Sequence, residues 1–227
     1  MRTGLSRSFP WHSSSSSFLF KPIQTPFSST TTLLLFLLLL LPIPRYMVEK
    51  LGVEESKVEK LSSILYKNYG TTLAGLRAIG YKLDYDDYHS DRAHTVRALK
   101  RLGLQDCFED IICFESLNKP CPLQPWDMAG TEIFDIAGHL ALSGGRIGKL
   151  PKTPVLCKPS IDAMQAALRI FDVNPSTAVY FDDSVRNIQA GKQIGLRTVL
   201  VGTSQRVIGA DHSIESIHSI REALPEL

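Results

Sequence analysis

Beyond residue 45, apolar residues recur at helical spacing. Val58, Leu61, Leu65 and Tyr69 stand at i, i+3, i+7 and i+11, which lines one face of a helix. Ser56 is placed to cap its start, and Gly70 to end it in the left-handed conformation. Leu73, Leu76 and Ile79 repeat the pattern up to Gly80. Residues 46–90 thus read as a small helical unit with its own apolar face, closed by an acidic and aromatic loop from Asp84 to Tyr88.

After Asp91 the pattern changes. Val96, Leu99 and Leu102 mark a helix ended by Gly103, and Ile111 to Phe114 is a short apolar run suited to a buried parallel strand. Residues 116–153 are rich in Pro and Gly and lack sustained periodicity. They read as a long surface insertion, with a short helix between Glu132 and Leu142. The last part is the most regular. Ser160 caps a helix whose apolar face is Ile161, Met164, Leu168 and Phe171. Ala178 to Phe181 is a strand. Asp183 and Ser184 cap the next helix, which carries Val185, Ile188 and Ile194 and stops at Gly195. Thr198 to Val201 is another strand, ended by Gly202. Strands alternating with helices predict parallel pairing, right-handed crossovers and an α/β layered fold.

The first 45 residues differ from all of this. They hold basic residues but no acidic one before Glu49, a Ser run from Ser13 to Ser17, a Thr run from Thr30 to Thr32, and the apolar run Leu33 to Leu41. Nine apolar residues are too few for a bilayer span, which needs about 20. Three origins fit: a translated leader or intron tract rich in pyrimidine codons, a plastid transit peptide, or a secretory signal or anchor. Each of them leaves residues 1–45 outside the fold. A cytoplasmic location is expected, or a plastid one if the segment is a transit peptide; a membrane location is not.

A chain of 227 residues with net charge +2 suits one domain plus appendages, and its basic residues are spread too evenly to form a nucleic-acid footprint. Cys107, Cys113, Cys121 and Cys157 show no C-x-x-C spacing, so they read as free thiols in a reducing compartment.

The chemistry concentrates at Asp182 and Asp183. They stand at the carboxyl end of a predicted parallel strand, where open sheets bind ligands. Two adjacent carboxylates repel each other and suit Mg²⁺, which takes one or two carboxylates and completes its octahedron with water and phosphate. Helix capping is the other use of an Asp at this position. Lys158 lies 24 residues earlier, before Pro159 and Ser160, where it can reach a phosphate as a compact point charge.

Cys-Lys158-Pro-Ser, a helix, a strand, and then Asp182-Asp-Ser-Val-Arg-Asn-Ile-Gln-Ala-Gly-Lys-Gln-Ile-Gly-Leu-Arg-Thr-Val-Leu-Val-Gly202 together resemble the haloacid dehalogenase-like hydrolase superfamily. Lys158 falls on its third motif, and Asp182 and Asp183 on its fourth. Within the superfamily, residues 46–115 and 154–227 look like the plant pyrimidine 5′-nucleotidase-like branch. The segments Tyr66-Lys-Asn-Tyr-Gly-Thr-Thr, Gly75-Leu-Arg-Ala-Ile-Gly-Tyr, Ala98-Leu-Lys-Arg-Leu-Gly-Leu and Val201-Gly-Thr-Ser-Gln-Arg-Val carry that closer likeness.

The resemblance implies a Rossmannoid parallel sheet, with residues 46–90 as a helical cap and residues 91–227 as the core. It implies a Mg²⁺-dependent phosphatase acting on small phosphate esters, nucleoside monophosphates in particular. Lys158 would hold the phosphate, Asp182 and Asp183 would hold the metal, and Ser184 and Asn187 would support them. In such enzymes a first-motif Asp attacks phosphorus, and the Asp two residues on moves the proton.

That first motif does not precede Tyr46: the leucine run is followed by Pro42-Ile-Pro-Arg45, with no carboxylate. The second motif, an apolar strand ending in Thr-Asn, does not precede Asp91. Ser90 offers a hydroxyl there but does not match the motif position. The resemblance therefore predicts a core that lacks two strands, one central and one beside it, and a chain with no nucleophile. The leucine run is a possible substitute for the central strand, without its chemistry. The functional expectation is a phosphatase impaired in this chain; the alternative is a non-catalytic binding or regulatory remnant.

Overall fold

A computed structural model of the chain describes residues 15–24, 30–39, 43–83, 91–101, 103, 106–118, 133–142 and 150–225. The expected loop at Asp84 to Tyr88, Ser90, Cys121 and most of the 116–153 insertion lie outside the described residues.

Three helices open the folded chain after two strands. They are α1 (Ile43–Glu49), α2 (Glu55–Tyr69) and α3 (Thr72–Ala78). Val58 and Leu65 of α2 are buried as the spacing predicts, and Leu73, Leu76 and Ile79 join them. The start of α2 differs from expectation. Glu54 occupies the cap position, and Ser56, already inside the first turn, donates its hydroxyl to Glu54 Oε1. Gly70 ends the helix as predicted: its φ is 87°, and its N–H donates to Tyr66 O at 2.9 Å. The apolar cluster of this unit also takes in Phe114, Val155 and Cys157, together with Ile136 of the short helix within the insertion.

The chain continues through α4 (Asp91–Arg101), β3 (Asp110–Ile112), α5 (Phe114–Leu117), α6 (Ile136–Leu142) and α7 (Ile161–Ile170). It then alternates through β4 (Ala178–Asp182), α8 (Val185–Gln193), β5 (Arg197–Val201), β6 (His212–Ile214) and α9 (Ile220–Ala223). In α4, Leu99 and Thr95 are buried but Val96 is exposed, so the inward face is not the one that Val96 suggested. The run Ile111 to Phe114 divides: strand pairing ends at Ile112, and Cys113 begins a helical turn.

The main departure from expectation lies at the start of the chain. Residues Ser15–Gln24 and Thr30–Leu39 form strands, β1 and β2, and both enter the sheet. Sheet order is β3-β1-β2-β4-β5-β6. The leucine run pairs parallel with β4, from Thr32 opposite Ala178 to Leu35 opposite Phe181. β1 pairs antiparallel with β2 on one side and with β3 on the other. The two strands thus stand between β3 and β4, where the resemblance implies that two strands are missing. Residues 15–24 and 30–39, expected to lie outside the fold, are paired in this sheet. The physical reason is that a buried strand edge needs partners for its N–H and C=O groups. The α/β class holds, with β2, β4, β5 and β6 parallel and β1 reversed.

β4 is buried at every position. Its side chains alternate, so Ala178 and Tyr180 pack with Met164, Leu168 and Ile188 beneath α7 and α8. Val179 and Phe181 face the other way, toward Val199, Ile214 and Leu224. A fully buried strand of this kind fixes the residue at its carboxyl end within a rigid layer, and here that residue is Asp182.

Candidate functional site

Asp182 is the last residue of β4 and is 2 % exposed. Lys158 precedes α7 and is 3 % exposed. The fold brings the two together, with Lys158 Nζ 2.9 Å from Asp182 Oδ2. Tyr180, two residues back on the same face of β4, donates its hydroxyl to the same oxygen at 2.6 Å. The other oxygen, Oδ1, accepts the Ser184 N–H at 2.8 Å and Asn187 Nδ2 at 2.9 Å. Ser184 stands at the cap position of α8, but its side chain makes no capping bond. Asp182 instead takes one backbone N–H and one side chain from the start of α8, joining strand, helix and the Lys158 segment at one carboxylate.

Asp183 does not share this arrangement of donors. It is exposed, and partial burial of its carboxyl, followed by the adjacent Asp182 charge, pushes its pKa up. Burial pushes the Lys158 ammonium down to about 8, against the pull of Asp182. Burial also raises the Tyr180 hydroxyl well above its ordinary value, and the Asp182 charge adds to that. Tyr180 and Lys158 thus remain donors at neutral pH.

The helical unit is fastened to this corner. Arg186 of α8 donates from Nη1 to Lys67 O at 2.9 Å and from Nη2 to Tyr66 O at 3.4 Å. Its guanidinium also lies 5.1 Å from the centre of the Tyr66 ring. Tyr69 donates its hydroxyl to Pro151 O at 3.0 Å. Gly70 lies so close to Lys158 O and Pro159 Cδ that a Cβ there would collide with both. Sequence reasoning passed over Tyr180, Arg186 and Gly70 as site residues. Tyr180 had a readable signal: a hydroxyl-bearing residue two positions before the acid in a strand shares its face.

Asp182, as bonded here, does not fit the role of a Mg²⁺ ligand. An ionised carboxylate offers about four lone-pair sites. Four protein donors already meet the two oxygens of Asp182, and one of them is itself a cation. Among the described residues, no group of three or more His, Cys, Asp and Glu side chains could hold a metal ion. Among the described residues, the strand beside β4 supplies no carboxylate, hydroxyl or thiol at this end. Past Leu35, which pairs with Phe181, β2 continues with Phe36 and three leucines. No helix among the described residues is long and apolar enough to cross a membrane.

No curated protein matches the chain. A family model described as haloacid dehalogenase-like hydrolase matches residues 152–201, the stretch that carries Lys158, Asp182, Asp183 and Asn187. With the α/β sheet and the Lys158–Asp182 pairing on that stretch, the match supports likeness to the haloacid dehalogenase-like hydrolase superfamily for the part of the chain that builds the site.

Proposed function

We propose that this chain is a non-catalytic protein of phosphatase lineage, in which a site for small phosphate esters has become a structural joint. The ancestral substrate class is the pyrimidine nucleoside monophosphates, by the resemblance of residues 46–115 and 154–227. The observation that carries the reading is the state of Asp182: its oxygens are taken by Lys158, Tyr180, Ser184 N and Asn187. The neighbouring strand offers apolar residues where a nucleophilic Asp would stand. In covalent enzymes, loss of the nucleophile alone lowers turnover about a millionfold. A cytoplasmic location goes with this reading, because a transit peptide is removed whereas β1 and β2 are used in the sheet.

The test is phosphate release from uridine and cytidine monophosphate by the purified 227-residue protein, with and without MgCl₂. Release equal to the protein-free blank is expected. Mg²⁺-dependent release that disappears in Asp182→Asn would overturn the proposal.

A further inference from the structure

We infer that the Lys158 ammonium is the built-in counter-cation of Asp182, so that at neutral pH this corner excludes Mg²⁺ and the fold holds without it. The inference deepens the non-catalytic reading by assigning the cation, and it has a separate readout.

A buried carboxylate needs a positive partner and donors for its remaining lone pairs. Here the partner comes from the chain itself. Lys158 Nζ sits 2.9 Å from Oδ2, and the Asp182 side chain is wholly excluded from water. Tyr180, Ser184 N and Asn187 complete the set at 2.6, 2.8 and 2.9 Å. These donors come from β4, from the first turn of α8 and from the segment before α7, so the arrangement is held from three directions.

An incoming Mg²⁺ would meet three obstacles. It sheds its water reluctantly and demands near-octahedral oxygen ligands. It would have to displace at least one of the donors on Asp182. Displacing Lys158 would leave an ammonium buried beside a divalent cation, with Gly70 and Pro159 packed against the Lys158 backbone. Asp183 remains as an exposed carboxylate, one ligand where the resemblance implies a pair.

The experiment is thermal unfolding of the full chain in EDTA and across millimolar MgCl₂, run on wild type, Asp182→Asn and Lys158→Ala. No Mg²⁺-dependent rise in the wild-type midpoint is expected. A saturable rise that Asp182→Asn abolishes would overturn the inference; a rise that persists in Asp182→Asn reports binding elsewhere and leaves it standing. Lys158→Ala vacates the ammonium position, and its midpoint is expected to become Mg²⁺-dependent. A folded Lys158→Ala that ignores Mg²⁺ would refute exclusion by the ammonium; if this variant does not fold, the wild-type titration decides. Mg²⁺ binding without phosphate release would overturn this inference and spare the non-catalytic reading. Phosphate release without Mg²⁺ would do the reverse.

Discussion

Lys158 Nζ meets Asp182 Oδ2 at 2.9 Å, with neither side chain open to solvent. Burial holds the ammonium at about 8, below its ordinary 10.5. The unfolded chain therefore binds this proton more tightly than the folded one. The stability contribution of this shift is fully present above pH 10.5 and is lost as pH falls through about 8. Urea midpoints of wild type are expected to rise relative to Lys158→Met as pH increases from neutral toward 10. A difference between the two that stays flat would mean that Lys158 is not buried as described.

The Tyr180 hydroxyl bonds a buried carboxylate at 2.6 Å, while its ring packs beneath α7 and α8. Tyr180→Phe keeps the ring and removes the donor. A loss of about 1.5–3 kcal/mol is expected, the range for hydrogen bonds to charged groups. Equilibrium urea unfolding measures it, and a change below about 0.5 kcal/mol, as at a surface position, would count against the network.

Gly70 carries both a positive φ of 87° and the contact with Lys158 and Pro159. Gly52 shares the positive φ, at 66°, but a Cβ there meets nothing within 4 Å. Gly52→Ala should lose only the backbone preference, about 1–2 kcal/mol. Gly70→Ala should lose clearly more, because the helical unit must also move off the Lys158 segment. Equal losses in the two variants would show that the contact carries no weight.

Arg186 grips the end of α2 through two carbonyls and a ring. A Lys cannot span both carbonyls while stacking on Tyr66. Arg186→Lys is expected to weaken the attachment by about 1–3 kcal/mol and to speed hydrogen exchange in the last turn of α2. Unchanged exchange there would remove Arg186 from the fastening.

Deleting residues 1–42 removes β1 and β2, the strands between β3 and β4. The shortened chain is expected to lose its cooperative unfolding transition, since β3 and one edge of β4 would have no neighbour. A sharp transition in that variant would show that residues 15–39 are dispensable to the sheet.

The site was readable where its residues are close in sequence and locally patterned. Asp182, Ser184 and Asn187 lie within one strand-to-helix turn, and Lys158 is one helix away. Gly70, Gly80, Gly103 and Gly195 each marked a turn and each takes a positive φ. The leader was not readable, because a continuous apolar run fits a buried strand, a signal segment or a piece of helix equally well. Its place is set by pairing with β4, more than 140 residues away, which no local pattern encodes. The Ser-rich start of β1 carries little β propensity, and Ser15 to Ser17 are paired with Leu39 to Leu37 of β2. The fourfold bonding of Asp182 escaped for a different reason: a motif reports which residues gather, but not that they satisfy one another.

The most direct test is a double-mutant cycle on Lys158 and Asp182, read by urea unfolding. If the pair is a structural joint, Lys158→Met and Asp182→Asn alone should each lose about 3–5 kcal/mol, and the double variant clearly less than their sum. If the pair is instead poised for catalysis, its members are held at a cost to stability, and replacing either should leave the protein as stable as wild type or more so. That second result would contradict the account.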